Sequence, residues 1–380
     1  MTTAAPTPLK ISAGRLRYID NLRWAMIFLV LSMHAADTYS PFGSWYFREH
    51  MPLNWSGRLF FAIWQMYLQS FFMGLLFFIA GYFVPASFDR KGPVRFVKDR
   101  AFRLGLPVLF YMFVLGPVTE YYVAHSWNST LPTSMANEWI KHIRNGEFLQ
   151  ENGPLWFCLA LLIFSCLYAA LGKGVNKETP MPGSLKIAGF AVVMSLASFA
   201  VRVARAPSVL NMHLTDFPQY IFLFAVGILA ARRGWLDKLS RKLAMGWAGV
   251  VLPFGFALWF EVVSASGMLE PQGHRHFTAL ETLLFCVWES FTCVAISLGL
   301  LVLFRDLWNR QGRVSKFLSE NAFSVYAFHP PIVILGAKLL HPLAWNPIAS
   351  FAALTMLAVV ATYALSELAF RRIPVLKEIL

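Results

Sequence analysis

The sequence has few charged residues. Asp, Glu, Lys and Arg make up 14% of its 380 residues, whereas a soluble globular chain usually carries about a quarter. Its apolar residues reach 57%, which excludes intrinsic disorder, because disorder requires low hydrophobicity. An ordinary cytosolic enzyme is also disfavoured, because such proteins usually have more charged and fewer apolar residues. The composition instead predicts a polytopic membrane protein.

Acidic residues are scarcer than basic ones. The chain has 20 Asp and Glu against 33 Lys and Arg, which gives a net charge of +13. A basic excess can mark nucleic-acid binding, but no recognisable motif for it is present, so we expect no nucleic-acid partner. Cationic loops on one side of a membrane explain the excess better.

Cysteine is also rare, with four residues in the chain. All four lie in apolar stretches, without the spacing of a disulfide framework or a zinc site. We therefore interpret them as buried small apolar residues and predict no metal site. They are Cys158, Cys166, Cys286 and Cys293.

Ten stretches are apolar and long enough to cross a membrane as helices. They cover 19–39, 58–83, 104–124, 154–172, 185–204, 217–231, 243–265, 277–304, 318–341 and 347–370. No gap between them is long enough to bury a core of its own, and residues 1–18 lack the pattern of a cleavable signal. We predict an all-α membrane fold with a single domain over residues 1–380.

The distribution of basic residues predicts the orientation. With the amino terminus inside, the inner loops carry 24 Lys and Arg and the outer loops carry 8. Such a bias favours ten spans with both termini in the cytoplasm. No repeat or inverted symmetry is recognisable, and many transporters have one.

The first span contains four ionisable residues on one helical stripe. At about 100° per residue, Asp20, Arg23, His34 and Asp37 fall on the same side. Arg23 and His34 are about 16 Å apart along the axis. Asp37 is one turn beyond His34, where it can orient the imidazole as a general base. The alternative is that these residues have only structural roles, with Arg23 extending to the membrane interface and His34 hydrogen-bonded inside the helix bundle.

Three other places carry polar residues of interest. Arg100 and Arg103 are predicted to stand at the start of the third span, where guanidiniums and the free N–H groups of a helix start suit phosphates. The alternative is that the basic residues before this span only anchor it on the cytoplasmic side. Glu289 lies near mid-membrane in the eighth span and needs a partner. The ninth span has a polar face before a proline pair, which should kink or interrupt the helix and free carbonyls near His329. This face is either part of a cavity or a contact between helices, and its members are Asn321, Ser324, Tyr326 and His329.

Four motifs in this order resemble the acyltransferase 3 family of integral membrane acyltransferases over nearly the whole chain. The first is YIDNLRWAMIFLVLSMH, with ten residues between Arg23 and His34. The second is FFMGLLFFIAGYF, with Gly81, and the third is RAFRLGLP. The fourth is NAFSVYAFHPP. The fourth span, PLWFCLALLIF, lacks the acids of branches that acetylate O-antigen, and is more similar to a branch that succinylates osmoregulated periplasmic glucans.

The resemblance implies transfer of an acyl group, succinyl or acetyl, from cytoplasmic acyl-CoA to a hydroxyl of an extracytoplasmic glucan or other glycan. Acyl-CoA would be a co-substrate, with no tightly bound cofactor, and the location would be the bacterial inner membrane. The oligomeric state stays open.

The resemblance also implies site residues. Catalysis falls on His34, with Asp37 as its partner. Donor binding falls on Arg23, Arg100 and Arg103. We assign substrate binding to Trp156, Glu289, Asn321, Ser324, Tyr326 and His329. A second carboxylate on a succinyl group would need a cation, for which Arg23, Arg202, Arg205 and Arg275 are the candidates.

A rival interpretation is a proton-coupled transporter or flippase for an acidic sugar or lipid. Intramembrane His and Glu would then carry protons. The missing repeat and the ordered motifs favour the acyltransferase.

Overall fold

The computed structural model describes residues 16–43, 45–49, 51–127, 134–149, 152–172, 174, 176–271 and 276–373, with backbone alone for 122–127. Within these ranges the fold is all-α, as predicted. The helices are α1 (Arg17–Tyr39), α2 (Trp55–Lys91), α3 (Pro93–Arg100), α4 (Leu106–Phe110), α5 (Gly116–Trp127), α6 (Met135–Arg144), α7 (Trp156–Leu171), α8 (Ser184–Val203), α9 (Phe217–Arg233), α10 (Trp235–Lys238), α11 (Arg241–Ala265), α12 (Ala279–Leu307), α13 (Arg313–Leu340) and α14 (Pro347–Leu368). A short antiparallel ladder pairs β1 (Ser208–Val209) with β2 (Met212–His213), with Ser208 opposite His213.

Nine helical segments of the described chain are long and apolar enough to cross a membrane, and each coincides with a predicted span. The first predicted span, α1, is the exception. It has 23 residues, which is long enough for a crossing, but its ionisable stripe lowers its hydropathy. Because α1 packs against α2, α12, α13 and α14, it needs less lipid-facing apolar surface than a peripheral helix.

The backbones of α2 and α9 approach each other closely at two glycines. A Cβ at Gly81 would collide with the carbonyl of Phe224, and one at Gly227 would collide with the carbonyl of Phe78. Small residues allow such close backbone approach between membrane helices, where packing rather than the hydrophobic effect drives association. These two glycines therefore set the distance between α2 and α9.

The third span begins earlier than the sequence suggested. Gly92, with a φ of +73°, ends α2, and Pro93 begins a helical segment that continues to Trp127. Two π-helical turns, Ala101–Gly105 and Tyr111–Leu115, interrupt its α-helical hydrogen bonds. The interpretation that Arg100 stands at a helix start is therefore wrong, because the free N–H groups of this helix lie near Pro93.

The proline pair of the ninth span does not interrupt its helix. The helix α13 is continuous from Arg313 to Leu340. Pro330 lacks the N–H that would normally bind the carbonyl of Tyr326, and His329 Nδ1 donates to that carbonyl instead, at 2.8 Å. This bond satisfies the carbonyl that Pro330 leaves free, and the predicted interruption is absent.

Candidate active site

A cavity of about 690 Å³ lies near the carboxyl-terminal end of α1. Its wall includes residues of α1, α2, α7, α9, α13, the turn Gly153–Leu155, the connection between α1 and α2, and the connection between α8 and α9. Most of the lining is apolar or aromatic, with a few polar side chains among them, which is the usual character of a small-molecule site. The predicted site residues on this wall are His34, Asp37, Trp156 and Tyr326.

A chain of hydrogen bonds holds the histidine of this cavity. His34 Nδ1 lies 3.2 Å from Asp37 Oδ2, and the other oxygen of Asp37 accepts from Gln65 Nε2 at 2.6 Å. Gln65 in turn accepts from the Ser40 hydroxyl at 2.6 Å. Because a carboxylate only accepts, the proton of a neutral His34 lies on Nδ1, which leaves the lone pair on Nε2. This is the tautomer that a general base requires.

Two rings lie against His34. Trp45 stacks on it with ring centroids 3.7 Å apart, and His329 lies at 5.1 Å with nearly parallel planes. Packing on two sides restricts the imidazole to one orientation, so the direction of Nε2 is set by its neighbours as well as by Asp37.

Gly43 lies close to the Asp37 carboxylate. Its φ is +79°, a conformation that L side chains rarely adopt. A Cβ at this position would collide with Asp37 Oδ1. Only glycine therefore permits the Asp37 carboxylate to occupy its present position.

His329 is fully buried on α13. Its Nδ1 carries the proton that is donated to the Tyr326 carbonyl, so Nε2 is an acceptor, and no hydrogen-bond partner for it exists in the described part of the chain. The Tyr326 hydroxyl donates to the Pro154 carbonyl, which joins α13 to the turn on the cavity wall. Ser324 is buried nearby, and its hydroxyl likewise has no partner among the described residues.

Glu289 finds its partner in Arg202. Its two oxygens lie 3.0 and 2.9 Å from Arg202 Nη2, and the same nitrogen lies 3.2 Å from Asp216 Oδ1. Asp216 lines the cavity, whereas Glu289 does not. Two carboxylates already neutralise Arg202, so its position does not support the predicted role as an anchor for a succinyl carboxylate. Arg205 is exposed, and Arg275 lies outside the described residues.

Asn321 lies at the contact between α13 and α14 and does not line the cavity around His34. Its amide donates to Glu367 Oε2 at 3.2 Å, and its oxygen accepts from the Ser366 hydroxyl at 2.6 Å. Both partners belong to α14, so these bonds join α13 to α14. The position agrees with the helix-contact alternative and not with direct substrate binding.

A second cavity, of about 460 Å³, lies near the amino-terminal end of α1. Five cationic side chains and one carboxylate, Asp99, are among its lining residues. Asp99 is paired with Lys91 at 2.5 Å. The cations are Arg23, Arg90, Lys91, Arg100 and Arg103, so the structure brings the three predicted donor-binding residues to one place.

The guanidiniums of this cationic cavity are held partly by aromatic rings. Arg23 lies over Phe83 at 4.7 Å, and Arg100 lies over Phe96 at 5.3 Å. Arg23 is also 3.4 Å from Asp20. The polar stripe of α1 is therefore divided between two sites, with Asp20 and Arg23 at one end and His34 and Asp37 at the other.

Sequence reasoning missed three residues that hold the histidine: Gln65, Trp45 and Gly43. Gln65 is a polar residue inside an apolar span, and this signal could have identified it. Trp45 and Gly43 lie in the segment between α1 and α2, where no periodicity indicates which side chain returns to the site.

Residues 16–367 match the family described as an acyltransferase domain. Glucans biosynthesis protein C of Salmonella schwarzengrund (strain CVM19633) is 23% identical over 344 residues, which cover 87% of this chain and 85% of that protein. The protein of the same name from Salmonella agona (strain SL483) has the same identity and coverage. No solved structure matches the chain.

Proposed function

Because the chain belongs to the acyltransferase 3 family and is a multi-pass membrane protein, we propose that it transfers an acyl group from cytoplasmic acyl-CoA to a hydroxyl of an extracytoplasmic glycan. The inner membrane of a bacterium is the proposed location. The observation that carries the proposal is the arrangement on α1. The His34–Asp37 pair lines one cavity, and Arg23 lines a cationic cavity at the other end of the same helix.

The cationic cavity is the proposed donor site. Acyl-CoA carries a diphosphate and a further phosphate, and guanidinium groups bind phosphate through paired, charge-assisted hydrogen bonds. Arg100 and Arg103 would bind these groups. The pantetheine arm would then extend along α1, where Arg23 and His34 are eleven positions apart, or about 16 Å along the axis.

His34 is the proposed general base. Its Nε2 takes the proton of the acceptor hydroxyl while the hydroxyl oxygen forms a bond to the thioester carbon. The carbon–sulfur bond then breaks, and the CoA thiolate recovers the proton from the imidazolium. Asp37 stabilises that imidazolium. General-base assistance of this kind contributes about 10²–10⁴-fold. An acyl-histidine intermediate is the alternative chemistry, and acid-quench trapping of acylated protein distinguishes the two.

The larger cavity is the proposed acceptor site. Its wall contains the rings of Trp45, Tyr46, Trp156, Tyr220 and Tyr326. Aromatic faces pack against the C–H faces of a sugar, and polar tips bind its hydroxyl groups. The likeness to proteins named for glucan biosynthesis supports a glucan acceptor.

Two observations point to different acyl groups. The family resemblance favours succinyl. The described wall of the larger cavity has carboxylates, Asp37 and Asp216, and no Lys or Arg, so a succinyl carboxylate near His34 would face like charge. Competition between succinyl-CoA and acetyl-CoA at the purified enzyme decides between them, and a preference for acetyl-CoA assigns the protein to an acetylating branch.

Transfer of radiolabel from acyl-CoA to a glycan by the purified protein tests the function. We expect transfer by the wild type and none above background by His34→Ala. Transfer at a near wild-type rate by folded His34→Ala would refute the base assignment. Failure of the wild type to consume acyl-CoA, together with proton-linked uptake of a sugar in vesicles, would instead support the transporter.

The donor site is tested separately by acyl-CoA affinity. Arg100→Ala/Arg103→Ala should weaken binding at least tenfold, since two charge-assisted contacts are lost. The matched control is Arg95→Ala/Lys98→Ala, because these exposed cations of α3 do not line the cavity. If the two double variants bound acyl-CoA with equal affinity, Arg100 and Arg103 would have no role in donor binding and would only anchor the third span on the cytoplasmic side.

A further inference from the structure

Three side chains of metal-ligand type meet near the end of the third span. They are Glu120 of α5, His142 of α6 and Glu147 of the 3₁₀ turn Glu147–Leu149. His142 Nδ1 lies 3.3 Å from Glu120 Oε2 and 3.8 Å from Glu147 Oε2. All three ligand atoms lie within 4.8 Å of one another.

The histidine of this cluster is buried, with 2% of its side chain exposed. Its Nε2 lies 3.2 Å from the Met112 carbonyl, which only accepts, so Nε2 carries a proton. Nδ1 makes no hydrogen bond within the described part of the chain and faces the two carboxylates. A neutral His142 therefore directs a lone pair at two anions, which is repulsive unless a cation lies between them.

We propose that Glu120, His142 and Glu147 bind a divalent transition-metal cation, with Zn²⁺ the best fit. Zinc bonds to nitrogen and oxygen of about 2.0–2.2 Å place tetrahedral ligand atoms roughly 3.3–3.6 Å apart. The distances from Nδ1 fit this spacing after small movements of the glutamates. Both side chains are partly exposed, at 39% and 44%, which leaves room for such movements. Solvent would supply the fourth ligand.

The surroundings resemble those of a metal ligand. A metal-binding histidine usually donates its other N–H to a carbonyl or carboxylate, which sets its tautomer, and Met112 supplies that carbonyl. Glu147 is oriented by Asn145, whose amide donates to Oε1 at 2.9 Å and leaves Oε2 for the cation.

The proposed cation would join three elements at one end of the molecule. The helix α6 already contacts the third span through Trp139, whose indole donates to the Phe113 carbonyl at 2.6 Å. The hydroxyl of Tyr111, the residue before Met112, lies 3.1 Å from the hydroxyl of Tyr46, which is on the wall of the larger cavity. A bound metal would therefore stabilise the segment 134–149 beside that cavity, whatever reaction the cavity supports.

Equilibrium dialysis of the chelator-treated full-length protein against buffered Zn²⁺, with bound metal measured by mass spectrometry, tests the site. We expect about one more zinc per chain in the wild type than in Glu120→Gln/Glu147→Gln, and at least a tenfold weaker affinity in the variant. The wild type, but not the double variant, should gain thermal stability on adding zinc. Both substitutions are of partly exposed side chains, which limits their effect on folding.

Glu138→Gln is the matched control, because this acid lies on α6 but pairs with Lys141 outside the cluster. It should bind zinc like the wild type. Equal zinc content in the wild type and the double variant would overturn the proposal. Absence of zinc binding to the wild type would overturn it as well. Displacement by a moderate excess of Mg²⁺ would overturn the choice of a transition metal.

Discussion

Asp37→Asn should reduce acyl transfer by roughly 10³–10⁴-fold without unfolding the protein. The amide oxygen of the asparagine can still accept from Gln65, which now binds Asp37 Oδ1 at 2.6 Å. Its NH₂ group would then face His34 Nδ1. The imidazole proton must move to Nε2, and a protonated Nε2 cannot accept the proton of the acceptor hydroxyl.

The expected magnitude can be worked from the lost charge. Asp37 Oδ2 lies 3.2 Å from His34 Nδ1. At an effective dielectric constant of about 20, a carboxylate at this distance stabilises the imidazolium by roughly 5 kcal/mol. At about 1.36 kcal/mol per decade, this corresponds to a factor of between 10³ and 10⁴ in rate.

The assay is single-turnover transfer from radiolabelled acyl-CoA in nanodiscs, with acyl-CoA affinity measured on the same samples. Affinity should not change, because the cationic cavity lies at the other end of α1. Asp306→Asn is the control, since this acid is exposed and lies outside both cavities, and it should retain the wild-type rate. A folded Asp37→Asn protein that keeps more than a tenth of the wild-type rate would refute the reasoning.

Three further predictions follow from individual contacts. Gly43→Ala should lower the transfer rate at least tenfold with unchanged acyl-CoA affinity, because the new Cβ displaces the aspartate that holds the base; a wild-type rate would contradict this. Gly227→Val should lower the thermal unfolding temperature in detergent, since the new side chain meets the backbone of α2. Gly246→Val is the control, because its side chain enters open space and should not lower that temperature. Equal changes in unfolding temperature would contradict the packing account. Arg202→Met should cost about 3–5 kcal/mol of stability, because it leaves the buried carboxylate of Glu289 unpaired, and adding Glu289→Met should recover part of this loss. A double variant no more stable than the single one would contradict the ion-pair account.

The limits of prediction from sequence are visible on α1 and α13. The stripe of Asp20, Arg23, His34 and Asp37 followed from helical periodicity, and the His34–Asp37 contact is within one turn, so local geometry suffices to predict it. The continuity of α13 could not be predicted in the same way. It depends on the rotamer of His329, whose ring binds the carbonyl that Pro330 leaves free.

The start of the third span shows a different limit. The apolar pattern begins at residue 104, whereas the helix begins at Pro93. Hydropathy detects where a helix enters apolar surroundings, but not where its hydrogen bonds begin. The charged turn before the apolar stretch is helical as well, and it places Arg100 and Arg103 on the wall of the cationic cavity.

The sequence by itself determined the fold class, the places of the spans and the pairing of His34 with Asp37, because hydropathy and helical periodicity are local properties of the chain. Only the tertiary structure decided that Arg202 neutralises Glu289 and that Gln65 holds Asp37. These partners are separated by 87 and 28 residues and meet only through the packing of different helices. A local pattern shows that a buried charge needs a partner, but the packing of the helices selects which one.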